Sequence, residues 1–299
     1  MDEAPSAGPG GAVLTEPLDP AARARLVDRF GTSVEPWCDA LPGLVDRLAP
    51  RWSLTVREAR PGNTGRTLLC DSPDGPRVLK LCPDPAIARA EATALQAWAG
   101  LPRVVQLLDT DLTEGAILLE GLVPGTTLTE SDVPWDQVRD LLTQIHSVPA
   151  DGPFPTQLDR VHTMFDLAER RLRGSGALHH LPLDVLRTGR TRAESLATTG
   201  PVTLVHGDLH PGNVLDAGPA RGIVAIDPRP CLGDPAFDAV DWAFLPLASG
   251  GTFGDGLAQL PDPARTRAWC VALAPLVAMG PLRRTGRTRF TDAVLALAR

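Results

Sequence analysis

The chain has 299 residues, a hydrophobic content of 43% and a formal net charge of −7. That length holds two lobes, each with a core of its own, and the acidic balance argues against nucleic acid as the main partner. No apolar run approaches the roughly 18 residues that span a bilayer, so no membrane association is expected.

In chain order, residues 1–18 are rich in Gly, Pro and Ala without periodicity and are predicted to form a disordered tail. Asp19-Pro20 reads as an N-cap followed by proline at the first helical position, opening a helix to about Phe30. Short β-like runs follow at Ser53–Val56, Thr67–Cys70 and Arg77–Leu81, the last two joined by the turn Asp71-Ser72-Pro73-Asp74-Gly75. Asp84-Pro85 opens a helix that ends at Gly100, and Val104–Leu108 and Ala116–Glu120 read as two further strands. After Leu122 helical spacing dominates. Trp135, Val138, Leu141, Leu142 and Ile145 share one face, and further helices are predicted over Leu158–Leu172 and Leu183–Leu196. Strand-like runs return at Val202–Val205, Asn213–Asp216 and Ile223–Ile226, with a turn over Ala217–Gly222 between the last two. Asp234-Pro235 opens a helix through Phe244. The expected class is α+β in two lobes. Residues 19–121 form a β-rich N-lobe, a five-stranded antiparallel sheet plus helix, and residues 122–299 form a mostly helical C-lobe.

The N-terminus, Met1-Asp2-Glu3-Ala4-Pro5, lacks the basic and apolar regions of a secretory signal. Five cysteines, Cys38, Cys70, Cys82, Cys231 and Cys270, are scattered and form no C-x-x-C pair. They fit a reducing cytoplasm and speak against a zinc site or a disulfide framework. Lys and Arg total 29, and Lys80 is the single lysine. A lone lysine in an arginine-rich chain marks a place where a compact ammonium is needed, unless it survives by chance.

His206-Gly207-Asp208-Leu209-His210-Pro211-Gly212-Asn213 fits the loop H-x-D-x-x-x-x-N of phosphoryl-transfer enzymes, followed by Ile226-Asp227 at the end of an apolar run. In that pattern Asp208 takes the acceptor hydroxyl proton, while Asn213 and Asp227 hold Mg²⁺. The hairpin between them brings Asn213 and Asp227 to one end, and Mg²⁺ needs only one or two protein oxygens beside phosphates and water. The competing readings are local: a turn cap for Asp208, a turn residue for Asn213 and a strand-end cap for Asp227.

Lys80 lies in a Val-Leu-Lys strand like the V-A-I-K strand whose lysine pairs with the α/β-phosphates and with a helix glutamate. Glu91 is the candidate partner. It shares the inward face of its helix with Ile87, Ala94, Leu95 and Trp98, where a carboxylate calls for a cation; the other reading is a residue at the stripe's margin reaching solvent. Gly62 and Gly65 in the first hairpin would let backbone N–H groups approach phosphate oxygens, and an ordinary turn is an equal reading. Leu118–Val123, with Glu120 and Leu122, suits a connector whose backbone bonds an adenine edge. Asp234, Asp238 and Asp241 form a carboxylate row on the helix past Asp227, readable as a wall for a cationic substrate. Asp234 also reads as an N-cap and Asp238 as an anchor for the catalytic loop. His146, His162 and His210 show no metal spacing and read as structural or surface residues.

Together these residues resemble the aminoglycoside phosphotransferase family, of protein-kinase-like fold, in its streptomycin 6-phosphotransferase and hydroxyurea phosphotransferase branch. Val105-Gln106-Leu107-Leu108-Asp109, Leu118-Leu119-Glu120, Ile145-His146-Ser147-Val148-Pro149, Ala225-Ile226-Asp227-Pro228-Arg229-Pro230 and Gly233-Asp234-Pro235-Ala236-Phe237-Asp238 carry the resemblance. It implies ATP and Mg²⁺ as cofactors and a hydroxyl on a small cationic antibiotic, most simply of streptomycin type, as acceptor. A metabolic or biosynthetic hydroxyl, such as an amino alcohol, hydroxyurea or an antibiotic intermediate, is the alternative, ahead of a non-catalytic ligand-binding protein. Asp208 would be the base, Asn213 and Asp227 the metal ligands, Lys80 and Glu91 the phosphate-orienting pair, and Asp238 a support for the catalytic loop. Another acid remains an alternative partner for Lys80, and the basic run Arg283-Arg284-Thr285-Gly286-Arg287-Thr288-Arg289 departs from the acidic C-termini of aminoglycoside enzymes. A cytoplasmic monomer is expected.

Overall fold

The computed structural model describes residues 18–61, 64–128, 133–174 and 180–298. The predicted tail therefore lies outside the described residues except for Leu18, which is buried in the core with Ala22 and Leu26. The chain divides into two compact units, one of residues up to Ala99 plus Val105–Val123, the other of Gly100–Val104 plus the chain from Pro124 onward.

The first unit opens with helices α1 (Pro20–Phe30) and α2 (Glu35–Arg51). Asp19 caps α1 by accepting from the Ala22 N–H at 2.8 Å, and proline follows at the first helical position. The sequence reading contained no α2, because Pro42 and Pro50 lie inside it. Burial outweighs that penalty: Cys38, Leu41, Leu44, Val45 and Leu48 form a helical stripe against the sheet. The sheet has strands β1 (Thr55–Pro61), β2 (Arg66–Ser72), β3 (Gly75–Leu81), β4 (Leu107–Asp111) and β5 (Ala116–Glu120). Its order is β1-β2-β3-β5-β4, antiparallel throughout. Helix α3 (Pro85–Ala97), capped by Asp84, lies between β3 and β4 in the chain.

Gly100–Val104 belongs to the second unit, so the predicted strand Val104–Leu108 begins later, at Leu107. The cause is a set of polar ties within the second unit. Arg103 donates to the carbonyls of Arg221 and Ile223 and to Asp140, and the Ala225 N–H donates to the Arg103 carbonyl. Arg221 returns hydrogen bonds to the carbonyls of Pro102 and Val104.

The rest of the second unit is mostly helical. Strand β6 (Thr126–Thr127) is followed by helices α4 (Trp135–His146), α5 (Gln157–Arg173) and α6 (Leu183–Thr199). Then come β7 (Thr203–Val205), β8 (Val214–Asp216), β9 (Ile223–Ala225) and β10 (Cys231–Gly233), and helices α7 (Val240–Ala248), α8 (Phe253–Leu257), α9 (Pro263–Thr285) and α10 (Arg289–Leu297). The predicted helix from Asp234 starts as a 3-10 turn, Pro235–Ala239, before α7. Strands pair as β6-β8-β9 and β10-β7, all antiparallel. Val138, Leu141, Leu142 and Ile145 of α4 are buried together, as their spacing predicts. Trp242 and Trp269 are fully buried in the helical core. Among the described residues no helix is long and apolar enough to cross a membrane.

Candidate active site

In the second unit the site is built where β7 ends. His206, Gly207 and Asp208 leave the strand in a conformation only glycine tolerates. Gly207 has φ +76°, and a Cβ there would lie 2.0 Å from the Arg229 carbonyl oxygen. The bend is held from inside by Asp238. Its Oδ2 accepts the His206 N–H at 2.7 Å, its Oδ1 accepts the Gly207 N–H at 2.8 Å, and His146 Nε2 donates to Oδ2 at 2.9 Å. Burial pushes this carboxyl upward, but the hydrogen bond and charge of His146, the nearby His206 and the Gly207 N–H outweigh it. The net shift is below the ordinary carboxylate range. The structure thus makes Asp238 an anchor, the second of its two sequence readings.

His206 is fully buried, and burial holds its ring below the usual histidine value. It donates through Nε2–H to the Ile226 carbonyl at 3.0 Å. The Ile226 N–H donates to the Asn213 carbonyl at 2.9 Å, and the Arg229 N–H to the His206 carbonyl at 2.8 Å. These bonds tie the loop to the segment after β9, where Asp227 sits. Asp227 has φ +60°, unusual for a residue other than glycine and characteristic of functional sites.

Asn213 ends the 3-10 turn Pro211–Asn213, which the His210 ring caps by accepting the Gly212 N–H at Nδ1, 3.1 Å. Asn213 Nδ2 donates to the Asp208 carbonyl at 2.9 Å and approaches Asp208 Oδ2 at 3.5 Å. The amide nitrogen is thereby committed and the amide oxygen remains for a ligand. Asn213 and Asp227 provide hard oxygen donors, the chemistry Mg²⁺ requires. Among the described residues no cluster of three or more His, Cys, Asp or Glu could hold a metal, so phosphate oxygens and water would complete such a shell. Asp208 itself is half-buried, with 41% of its side chain exposed.

The carboxylate row separates into three environments. Asp234, expected to face substrate, is 1% exposed and fully engaged. Its Oδ1 accepts the Ala236 N–H, and its Oδ2 accepts from Arg265 and from Trp269 Nε1. Asp234 is therefore a cap and a buried ion-pair partner, not part of a substrate wall. Asp241 is exposed, yet enough protein surrounds it to desolvate the carboxyl. That desolvation, with the charges of Asp208 and Asp238, raises its pKa to about 6 against the opposing effect of His210.

Arg160 was not singled out from the sequence. Its guanidinium donates to the Gly207 carbonyl at 2.9 and 3.2 Å and reaches Asp208 Oδ1 at 3.5 Å. The only hint in the sequence is an arginine in the first turn of a predicted helix, where the helix dipole disfavours a cation. His146 was read as structural, and its bond to Asp238 gives that reading a partner.

In the first unit Lys80 Nζ lies 2.5 Å from Glu91 Oε1, with 17% and 6% of the two side chains exposed. Glu91 is thus the partner of Lys80 despite the short step between them. Adjacent strand and helix are enough to bring β3 and α3 side chains together. Gly62 lies outside the described residues. A Cβ on Gly65 would sit 2.1 Å from the Leu81 carbonyl oxygen, so close strand packing by itself requires glycine there. Glu120 Oε1 accepts the Gln106 N–H at 2.8 Å, which commits part of its carboxylate to the sheet edge. Leu122 makes no hydrogen bond among the described residues.

The two-layer unit of antiparallel sheet and helix, followed by a mainly helical unit, is a protein-kinase-like fold. Choline kinase LicA from Streptococcus pneumoniae matches it with a TM-score of 0.62 at 15% identity, covering 87% of this chain and 99% of that one. Aminoglycoside phosphotransferase APH(4)-Ia matches with a TM-score of 0.59 at 16% identity, covering 86% and 97%. Sequence narrows the class. Streptomycin 6-kinase of Streptomyces glaucescens is 34% identical over 241 residues, 75% of this chain and 73% of that protein. Hydroxyurea phosphotransferase of Kitasatospora aureofaciens is 30% identical over 279 residues, 84% and 76%. The phosphotransferase enzyme family matches residues 55–269. The chain belongs to that family and is a phosphotransferase acting on a hydroxyl group.

Asp234→Ala tests the reassignment of that acid. It leaves the Trp269 N–H without its acceptor and the Arg265 guanidinium with the Leu196 carbonyl but no anion, and breaking a buried pair in this way costs about 3–5 kcal/mol. Urea unfolding should show a loss of that size, with the acceptor KM of the folded fraction unchanged. Unaltered stability with a raised acceptor KM would return Asp234 to the substrate wall.

Proposed function

We propose that the protein transfers the γ-phosphoryl group of ATP to a hydroxyl of a small cationic antibiotic, with streptomycin-type aminocyclitols as first candidates. The observation that carries the reading is the setting of Asp208. It is half-exposed, on a loop fixed by Asp238, beside an asparagine whose amide oxygen is left for a ligand.

In this reading Asp208 accepts the acceptor hydroxyl proton as the new O–P bond forms and the bond from the γ-phosphorus to the bridging oxygen breaks. ADP departs with the electron pair, and Asp208 returns the proton to solvent. Asn213 and Asp227 would hold Mg²⁺, which when bound would neutralise charge on the phosphate oxygens. Lys80, held by Glu91, orients the α/β-phosphates. Gly65, with Gly62, has the role of covering the phosphates. Glu120 and Leu122 mark the segment that receives the adenine, where the uncommitted backbone of Leu122 is the natural donor and acceptor. Asp241, exposed and close enough to Asp208 to feel its charge, meets a cationic group of the acceptor; desolvation first, then Asp208 and Asp238, raise its pKa to about 6 against the effect of His210. The streptomycin 6-kinase relatives support the choice of acceptor. The hydroxyurea phosphotransferase relative, whose match covers more of this chain, supports hydroxyurea as the second candidate. The protein acts as a monomer in the cytoplasm.

An ADP-release assay with streptomycin, hygromycin B, choline and hydroxyurea checks this reading. Turnover is expected with streptomycin, magnesium-dependent and lost by roughly 10³-fold or more in Asp208→Ala. Turnover of hydroxyurea alone would move the acceptor to the second candidate, and near-normal turnover by Asp208→Ala would remove the base. A second measurement follows Asp241, whose ionised form is the one that attracts a cation. The KM of a cationic acceptor should rise as pH falls through about 6, and Asp241→Asn should abolish that rise. A KM flat with pH in the unaltered protein would contradict the contact.

A further inference from the structure

We propose that Arg160 is a positioning residue for the transfer step, fixing the Gly207–Asp208 peptide and the direction of the Asp208 carboxylate from the start of α5. The inference rests on Asp208 being the base and adds a residue outside the motif.

The start of α5 is itself firmly placed. Thr156 and Asp159 form a capping box, with each side chain bonded to the other residue's backbone N–H. Gln157, the first helical residue, is buried; its Oε1 accepts the Asp234 N–H at 2.9 Å and its Nε2 donates to the Asp234 carbonyl at 3.4 Å. The Leu232 N–H donates to the Pro155 carbonyl at 2.9 Å. Arg160 follows directly on this tied start of the helix.

Its environment is unusual for an arginine kept only for packing. The side chain is 18% exposed. Burial draws its guanidinium below the ordinary arginine value, and the charge of Asp208 heads the effects that oppose this. The first turn of a helix repels a cation, and the acid of that turn, Asp159, is spent on the capping box. Among the described residues the one ion pair of Arg160 is with Asp208. Arg265, by contrast, is given a buried acid, Asp234, and a carbonyl, that of Leu196.

The distances divide the work. Two nitrogens close on the Gly207 carbonyl at 2.9 and 3.2 Å and lock the guanidinium edge. The same Nη2 faces Asp208 Oδ1 at 3.5 Å, and Asn213 Nδ2 faces Oδ2 at 3.5 Å. The carboxylate is bracketed on both oxygens by contacts at the outer limit of a hydrogen bond. Its direction is set while its lone pairs stay able to receive a proton. Asp238 holds the N–H groups of His206 and Gly207, and Arg160 holds the Gly207 carbonyl, so Gly207, the residue before the base, is gripped at both its N–H and its carbonyl.

The test is a double-mutant cycle in the full chain, with ATP and the best acceptor of the panel above, using Arg160→Met, Arg160→Lys, Asp208→Ala and the Arg160→Met/Asp208→Ala pair. Arg160→Met should lower kcat by roughly 10- to 100-fold, the effect of a base displaced by about 1 Å. Both KM values should stay within about threefold, because binding is not what Arg160 supports. Arg160→Lys, which keeps the charge and one donor, should recover part of the loss. In the Asp208→Ala background, Arg160→Met should add nothing further. An equal loss in both backgrounds, or a raised KM with unchanged kcat, would overturn the positioning role. A large Asp208→Ala loss beside an unaffected Arg160→Met would sink this inference alone; turnover retained by Asp208→Ala would sink the base and the inference together. Should Arg160→Met fail to fold, Arg160→Lys carries the same comparison of kcat with KM.

Discussion

Two backbone N–H groups, those of His206 and Gly207, end on one carboxylate that has no exposure to solvent, that of Asp238. A buried carboxylate is costly unless its oxygens are filled. Here a third donor, His146 from α4, fills the set. The loop from His206, the 3-10 turn before α7 and the end of α4 therefore share one electrostatic knot. Because the carboxyl is held below its ordinary range, its ionised form stabilises the fold above the unfolded-state value. That contribution is lost as pH falls through the folded one.

Around this knot the second unit spends buried polar groups on geometry. His206 ties the loop to Ile226, Ile226 to Asn213, and Asn213 back to Asp208. The circuit leaves the Asn213 amide oxygen open and holds the Asp208 carboxylate oxygens only by contacts at 3.5 Å, and these are atoms that the proposed chemistry uses. The first unit follows the same economy. Its Lys80 is the single lysine of the chain, and it rests on Glu91 in a nearly buried pair.

Much of this was legible in the sequence, for physical reasons that can be named. Strands β2 and β5 carry uninterrupted apolar runs, β3 an apolar run broken by Lys80, and the inward stripe of α4 repeats at helical spacing. The loop from His206 to Asn213 is contiguous, so one pattern covers it. Glu91 could be placed because a carboxylate among Ala94, Leu95 and Trp98 needs a cation. What escaped depends on contacts distant in the chain. Helix α2 contains prolines and forms because the sheet buries its stripe. Gly100–Val104 joins the second unit through Arg103 and Arg221, far apart in sequence. Asp234 and Asp241 lie within one helical turn of Asp238 on either side, at spacings of four and three residues that share a face. Only the tertiary partners of Asp234, Arg265 and Trp269, separate the buried one from the exposed one. Arg160 lies far from its loop in sequence and belongs to no motif.

The central claim is that Asp238 holds the loop in the geometry that makes Asp208 a base, and Asp238→Asn tests it most directly. The change is nearly isosteric, but an amide has one oxygen and cannot accept both N–H groups; its NH₂ would face a donor. The turnover number of this variant, measured at saturating ATP and acceptor, should fall by roughly 100-fold or more, as expected for a displaced catalytic group, with nucleotide affinity close to that of the unaltered protein. A turnover number equal to that of the unaltered protein would contradict the account.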